Sequence, residues 1–374
     1  MYGIQTYIDR LISDSTPEKP LWNIEKVNSG KPPYWNYIDG CMMSALYELY
    51  IITGENKYFN FVKNYIDYYV ADDGSIKTYD KNKFNLDDIN EGRVLFDLYG
   101  ATGDERYKKA IFNLYEQLKE QPRTETGNFW HKKIYPNQIW LDGIYMAQPF
   151  YCRYLTAFGG CDYQDLLSQI ENVRALMFDE KAKLYYHGID CSKTVFWANE
   201  KGLSQSFWLR SIGWFLVALA DLCEFCHDGK VAKKLSGILK EALIGVSNYV
   251  DKKTGMLYQV PDKSEKEGNY PETSGSLMVS YALMKAYRLG IVQKEYGVLG
   301  KNVYDAVVDR YLKVSDNGDV ELGGICLVAG LGPENNLRRN GTYEYYISEP
   351  VVKNDAKGVA PLVMCYAELK RFVG

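Results

Sequence analysis

The chain has 374 residues, 46% of them hydrophobic, with 33 Tyr, 14 Phe and 7 Trp, a composition that buries a large core and excludes intrinsic disorder. Its 44 basic and 48 acidic side chains leave a net charge of −4, which excludes the strongly basic face that a nucleic-acid backbone requires. The eight cysteines, at 41, 152, 161, 191, 223, 226, 326 and 365, show no regular spacing. They read as reduced, buried thiols in a chain too long to need a disulfide framework.

In chain order, the pattern predicts helices at about 2–13, 37–53, 56–70, 86–102, 104–120, 140–158, 162–176, 206–226, 229–250, 273–289, 293–312 and 357–372. The opening twenty residues carry Asp9, Arg10, Asp14, Glu18 and Lys19 without an apolar block, so no signal peptide is expected. The longest apolar stretch, Ile212 to Ala220, is too short for a membrane span. A cytoplasmic protein with no membrane partner is the expectation.

Repetition organises these helices. Residues 46–58 read LYELYIITGENKY and residues 95–107 read LFDLYGATGDERY, with weaker versions near 153–167, 218–235 and 282–299. Each is an apolar helix ending, a glycine stop and a new helix opening. Six helices are apolar and rich in small residues, six are more polar, and the unpaired first helix matches the unpaired last one. A helical-hairpin repeat that closes on itself is an all-α (α/α)6 barrel, a six-hairpin toroid, here one domain over 1–374. Turns around Gly54, Gly103 and Gly159 are short. The connections 71–85, 121–139, 177–205, 251–272 and 313–356 are long, and all emerge over one end of the toroid. They contain β-like pieces at 183–187 and 255–260, and they place any active cleft at the N-terminal ends of the inner helices.

Two of the three histidines, His131 and His187, fall in these long connections. Without clustered carboxylates or cysteines they make no zinc site, and no metal is expected. Asp39, Asp87 and Asp88 stand at inner-helix starts, where helix capping is the ordinary role. Asp142 is flanked by Trp140, Ile144 and Met146, an apolar setting expected to raise its pKa and fit it for general acid work. Trp208, Arg210 and Trp214 open the fourth inner helix, with Arg210 and Trp214 expected on one side. Arg210 suits either a cation–π pair or a planar donor to a carboxylate. Cys223-Glu-Phe-Cys226-His227 matches the short haem-attachment pattern, but it ends a long apolar helix in a chain without an export signal, and no cofactor is expected. No P-loop, Rossmann glycine fingerprint or Gly-x-Ser-x-Gly elbow is present.

Leu86-Asp-Asp88, Trp140-Leu-Asp142-Gly-Ile-Tyr-Met-Ala147, Phe207-Trp208-Leu-Arg210-Ser-Ile-Gly213-Trp214, Glu272-Thr-Ser-Gly275 and Gly341-Thr-Tyr343-Glu-Tyr-Tyr-Ile-Ser348-Glu349-Pro350 together resemble the unsaturated rhamnogalacturonyl hydrolases, glycoside hydrolase family 105. More distantly the chain resembles the unsaturated glucuronyl hydrolases. The resemblance implies an (α/α)6 barrel that hydrates the C4–C5 double bond of a terminal unsaturated uronic acid, acting on small oligosaccharides left by polysaccharide lyases. It assigns Asp142 as general acid and base and Asp88 as the second acid, coupled to Asp142 by like charge. His187, Arg210, Trp208, Trp214 and Trp140 would hold the uronate, with His131 and Tyr37 at the mouth. Gly143 departs from the family pattern. Rhamnose is the default leaving sugar, and a monomer or weak homo-oligomer is expected. A glucuronyl hydrolase, a conventional inverting glycosidase, a sugar epimerase using His131 and His187, and a binding scaffold are the alternative readings.

Overall fold

The structure is a computed structural model that describes residues 3–315 and 318–373. Tyr2, the predicted start of the first helix, and residues 316 and 317 of the long connection 313–356 lie outside the described residues. Fifteen helices follow among those described: α1 Ile4–Ser13, α2 Ile24–Ser29, α3 Tyr37–Thr53, α4 Asn56–Tyr69, α5 Asp87–Asn90, α6 Arg93–Thr102, α7 Glu105–Glu120, α8 Leu141–Ala157, α9 Gln164–Met177, α10 Leu209–Phe225, α11 Gly229–Ser247, α12 Thr273–Arg288, α13 Lys294–Tyr311, α14 Tyr343–Ile347 and α15 Ala356–Val373. Eight short strands, β1 Gln138–Trp140, β2 Phe178–Asp179, β3 Leu184–Tyr185, β4 Gly188–Asp190, β5 Leu312–Val314, β6 Val320–Leu322, β7 Ile325–Cys326 and β8 Val351–Val352, lie in the connections. They pair antiparallel as β1–β4, β2–β3, β5–β6 and β7–β8.

The helices α3, α5 with α6, α8, α10, α12 and α15 pack side by side in that order, and α15 returns to α3. That closure makes the ring. Outside it, α4, α7, α9, α11 and α13 lie on their preceding inner helices. The sixth outer place is taken by α1, where the Tyr366 hydroxyl of α15 donates to Gln5 at 3.2 Å and the Tyr58 hydroxyl of α4 donates to Asp9 at 2.8 Å. The fold is the (α/α)6 barrel that the repeats predict.

Burial follows from this layering. An inner helix touches neighbours on both sides and an outer helix behind it, so α10 buries every residue from Leu209 to Leu222. An outer helix has one covered face, and α7 accordingly buries Tyr107, Ala110, Ile111, Leu114 and Leu118 at helical spacing. One predicted inner helix is interrupted: α5 stops at Asn90 and α6 starts at Arg93. At that junction Gly40 of α3 comes so close that a β-carbon there would sit 2.5 Å from the Glu91 Cα, and the buried Glu91 carboxylate accepts the Asn36 N–H at 2.8 Å.

Other departures are local. The third short turn uses Gly160 in the left-handed region, not Gly159. The piece at 255–260 forms no strand, only an isolated bridge between Tyr258 and Pro271. The connection 14–36, unremarked in the sequence, carries α2 and proves to be a further long connection at the mouth. Among the described residues no helix is long and apolar enough to cross a membrane.

At the end of the ring opposite the long connections, charge replaces apolar packing. Asp221 of α10 pairs with Arg93 of α6 and with Lys285 of α12 at 2.7 Å, and it accepts the Tyr281 hydroxyl at 2.9 Å. Burial opposes ionisation of Asp221, but Lys285 and Arg93 outweigh it and hold the carboxyl below its ordinary range. Removing one member of such a buried set leaves uncompensated charge. Asp221→Asn is expected to lower stability by about 3–5 kcal/mol, seen as a fall in the urea midpoint; an unchanged midpoint would contradict this tie.

Candidate active site

Asp142 stands in the first turn of α8, directly after β1. Antiparallel pairing of β1 with β4 sets Trp140 opposite Gly188, and the Leu141 N–H donates to the His187 carbonyl at 3.0 Å. This short ladder carries His187, distant in sequence, to the start of α8. His187 Nε2 lies 3.1 Å from Asp142 Oδ2, close but without the alignment of a hydrogen bond. The neighbour of the Asp142 carboxyl is thus an imidazole, whereas Ile144 and Met146 are residues of the main core.

His187 is fully buried, and its Nδ1 lies 2.7 Å from the hydroxyl of Tyr346 on α14. Burial pushes the Tyr346 hydroxyl well above its ordinary pKa, so it keeps its proton. The Tyr346 hydroxyl thus occupies Nδ1, and Nε2 is the ring nitrogen that faces Asp142. Trp208 stacks parallel to Tyr346 at 5.8 Å, and its Nε1 donates to Gln259 at 3.2 Å. Gln259 in turn donates to the Tyr346 carbonyl at 3.0 Å.

His131 lies on the other side of Trp140. Their rings stack at 4.4 Å, and a β-carbon at residue 143 would come within 2.9 Å of His131 Nδ1. Gly143 is therefore the residue that admits the imidazole against α8. Burial, and after it the Lys132 charge, hold His131 well below its ordinary pKa, so it is neutral.

Asp88 is buried at the start of α5 and accepts the Asn85 amide at 2.9 Å. Burial and then the Asp87 charge push it up to about 7, against Lys132 and the Asn85 hydrogen bond. The like charge acting on Asp88 is its neighbour Asp87, where the resemblance had suggested Asp142. Asp87 caps nothing; it pairs with Lys132 at 2.5 Å and lies 3.7 Å from His131 Nε2. Asp39 is a structural knot that accepts Trp22 at 2.8 Å and Asn36 at 2.9 Å, while Asn36 is the helix cap.

The expected pairing of Arg210 with Trp214 is not what forms. The Arg210 guanidinium lies 4.9 Å from the Trp208 ring, and its donors reach Ser274 Oγ, the Cys326 carbonyl and the Leu327 carbonyl, leaving Nε without a partner. Trp214 instead stacks on Tyr145 at 4.4 Å and meets Tyr37 edge-on at 6.4 Å.

Three further groups stand at the mouth, Glu25 and Arg339 from segments without a readable motif and Tyr346 from the 341–350 block. Glu25 of α2 pairs with Lys357 at 2.8 Å, and although burial opposes it, the Lys357, Arg210 and Arg339 charges hold its carboxyl low. Tyr346 comes from α14. Arg339 has no side-chain hydrogen bond or ion pair among the described residues, and a β-carbon at Gly330 would lie 3.0 Å from its Nη1 and 3.5 Å from the Trp140 ring. The other cations named here are engaged: Lys132 with Asp87, Lys357 with Glu25 and Asp355, and Arg210 with carbonyls. Among the described residues no group of three or more His, Cys, Asp or Glu is placed to hold a metal.

A half-buried acid facing an imidazole, a second carboxyl titrating near neutrality, aromatic walls and one unengaged guanidinium are equipped for proton transfer to an anionic, ring-shaped ligand. Because Asp88 binds its proton more tightly in the folded chain, its contribution to stability is present below the unfolded value near 3.8 and is lost as pH rises through about 7. Stability should therefore fall by up to about 1.4 kcal/mol per pH unit across that window from this group. Urea unfolding at pH 5 and pH 7 should show a larger loss for the wild type than for Asp88→Asn, and equal losses would refute the assignment.

The family profile described as Glycosyl Hydrolase Family 88 matches residues 10–373. A solved family 105 glycoside hydrolase from C. acetobutylicum ATCC 824 has a TM-score of 0.88 at 35% identity, covering 98% of this chain and 99% of that one. Protein Atu3128 of Agrobacterium fabrum is 37% identical over 231 residues, 60% of this chain and 97% of that protein. The unsaturated rhamnogalacturonyl hydrolase YesR of Bacillus subtilis is 25% identical over 265 residues, 68% of this chain and 72% of that protein.

Proposed function

The chain belongs to glycosyl hydrolase family 88, and from that premise we propose that it removes a terminal C4–C5 unsaturated uronic acid from small oligosaccharides, with unsaturated galacturonate linked to rhamnose as its substrate. It is a glycosidase; the likeness to the rhamnogalacturonyl hydrolase supports the choice of sugar. The observation that carries the reading is the Asp142 carboxyl held against the buried His187–Tyr346 pair.

In this reading Asp142 gives its proton to C4 of the vinyl ether, and positive charge develops at C5 and the ring oxygen. Water bonds to C5, and its proton returns to the Asp142 carboxylate. The product is a hemiketal. Its ring opens to a C5 ketone, C1 is left with a hydroxyl and the leaving sugar, and collapse to the aldehyde frees that sugar. One water is consumed and the double bond is lost. His187 Nε2–H steadies Asp142 while its proton is away, and it is a positioning group in this scheme. Asp88 accompanies the developing cation. Trp140, Trp208, Trp214 and Tyr37 supply faces for the sugar ring, and His131, neutral, holds Trp140 in place. Arg210, through its open Nε, and Arg339 face the uronate carboxylate.

A second reading rests on Asp88. A carboxyl titrating near 7 beside an acid is also what a conventional glycosidase needs. Saturated and unsaturated uronides distinguish the two.

Asp142→Asn should lower kcat by about 10²–10⁴-fold while the fold persists. The measurement is the loss of ultraviolet absorbance from the conjugated double bond, and cleavage of saturated uronides at a comparable rate would overturn the vinyl-ether reading. Arg339→Gln should raise KM by about tenfold for the free acid with little change in kcat. The uronate methyl ester should show no such rise, and an equal rise for acid and ester would remove Arg339 from carboxylate binding.

A further inference from the structure

At the closed end of the ring, beside the Asp221 tie, the structure contains a cavity of about 70 Å³. A single water needs at least ~10–15 Å³, so this space takes a small ion with water beside it, and no sugar. Three cations, Arg93, Arg153 and Lys285, and three carboxylates, Glu48, Asp97 and Asp221, line it. The carboxylates are already engaged. Asp97 accepts both terminal nitrogens of Arg153, at 2.7 and 2.6 Å, and Glu48 pairs with Arg371. Asp221 takes Arg93, Lys285 and the Tyr281 hydroxyl together.

The cations are not equally served. Lys285 has a second carboxylate in Glu224 at 2.6 Å, and Arg153 adds to its bidentate pair a bond to the Arg93 carbonyl at 2.9 Å. Arg93 has only Asp221, reached through Nη2 and shared with Lys285. Its side chain is buried, with the residue 6% exposed, and its Nε and Nη1 have no hydrogen-bond partner among the described residues. The Tyr145 ring 5.0 Å away supplies a face to the guanidinium but no counter-charge. The hydroxyl of Ser44, on α3, also lines the cavity and has no hydrogen bond among the described residues. Buried N–H groups on a permanent cation call for an acceptor, and a charged acceptor makes the stronger bond. Water would bring donors of its own and no charge, whereas an anion accepts from every side. We propose that this cavity binds a monovalent anion of halide size, such as chloride, held by Arg93 Nε and Nη1 and the Ser44 hydroxyl. The site is separate from the mouth and independent of the reaction assigned there.

The test is urea unfolding of the full chain in sodium chloride, with sodium gluconate, whose anion is too large for the cavity, holding the ionic strength constant. Once chloride exceeds half-saturation, each tenfold rise in its concentration should favour the folded chain by up to about tenfold over gluconate alone. Chloride NMR lines should broaden in the presence of the protein, and added bromide should sharpen them by competition. Two variants locate the site. Arg93→Lys keeps a charge for Asp221 but removes Nε and Nη1, and Ser44→Val fills the space and takes away the hydroxyl without touching an ion pair. Each should lose both the chloride-dependent stabilisation and the line broadening, and Ser44→Val decides the matter alone if Arg93→Lys does not fold. A wild type equally stable in chloride and gluconate overturns the proposal, as does a chloride response that persists in either folded variant.

Discussion

The toroid depends on one buried carboxylate. Six inner helices arranged in a ring leave an axis that side chains must fill, and at the closed end Asp221 binds Arg93 from α6 and Lys285 from α12 while belonging to α10 itself. Three inner helices are thereby held at a fixed separation. The tie continues outward: Lys285 reaches Glu224 at 2.6 Å, Arg288 joins Glu224 to Glu368, and Arg371 joins Glu368 to Glu48. Buried ions are a poor source of net stability but a strict geometric constraint, since each misplaced partner leaves a charge in a low-dielectric interior. From that base an aromatic column rises along the axis. Arg93 lies 5.0 Å from the Tyr145 ring, Tyr145 stacks on Trp214, and Trp214 meets Tyr37 at the mouth.

Because one end is closed by charge pairs, the other is available for a site, and its electrostatics are arranged by engagement. Lys132, Lys357 and Arg210 each hold a partner within the protein, so their charges set the background without being free to move. Arg339 differs in having no such partner among the described residues and in lying over Gly330. An incoming anion competes with no existing ion pair there, which makes Arg339 the cheapest cation at the mouth to recruit.

Most of the architecture was legible because it is periodic. The Thr-Gly stops near residues 54 and 103 and the alternation of apolar with polar helices state the hairpin repeat directly, and the unpaired first and last helices state closure. The interruption at Glu91-Gly92 was not legible. It arises from packing, since a β-carbon at Gly92 would lie 2.3 Å from a Leu114 methyl, and no local signal announces it. The acids at helix starts were readable as positions but not as environments. Asp39 and Asp142 look alike in sequence, yet one is locked by the side chains of Trp22, Asn23 and Asn36 and the other faces an imidazole. That imidazole arrives through a strand pairing three residues long, too short to show as a pattern. Glu25 and Arg339 sit in connections whose course is set by tertiary contacts, so nothing in their neighbourhoods marks them, and Tyr346 lies in the marked 341–350 block but meets His187 only through the fold. The face shared by Arg210 and Trp214 was a fair helical inference, overruled by carbonyls from the β7 segment that capture the guanidinium first.

The two histidines show how packing divides like residues into unlike roles. Both lie against Trp140, His131 stacked on its face and His187 at its edge. His131 is pressed against α8 by the absence of a side chain at Gly143, stripped of water, and set beside the Lys132 charge, so it stays neutral. His187 is buried as deeply, but the Tyr346 hydroxyl meets one ring nitrogen and Asp142 the other. A neutral His131 adds no cation to the mouth. The glycine after the acid is thus part of the site's charge arrangement: a larger residue there would displace His131 and the Trp140 face that rests on it.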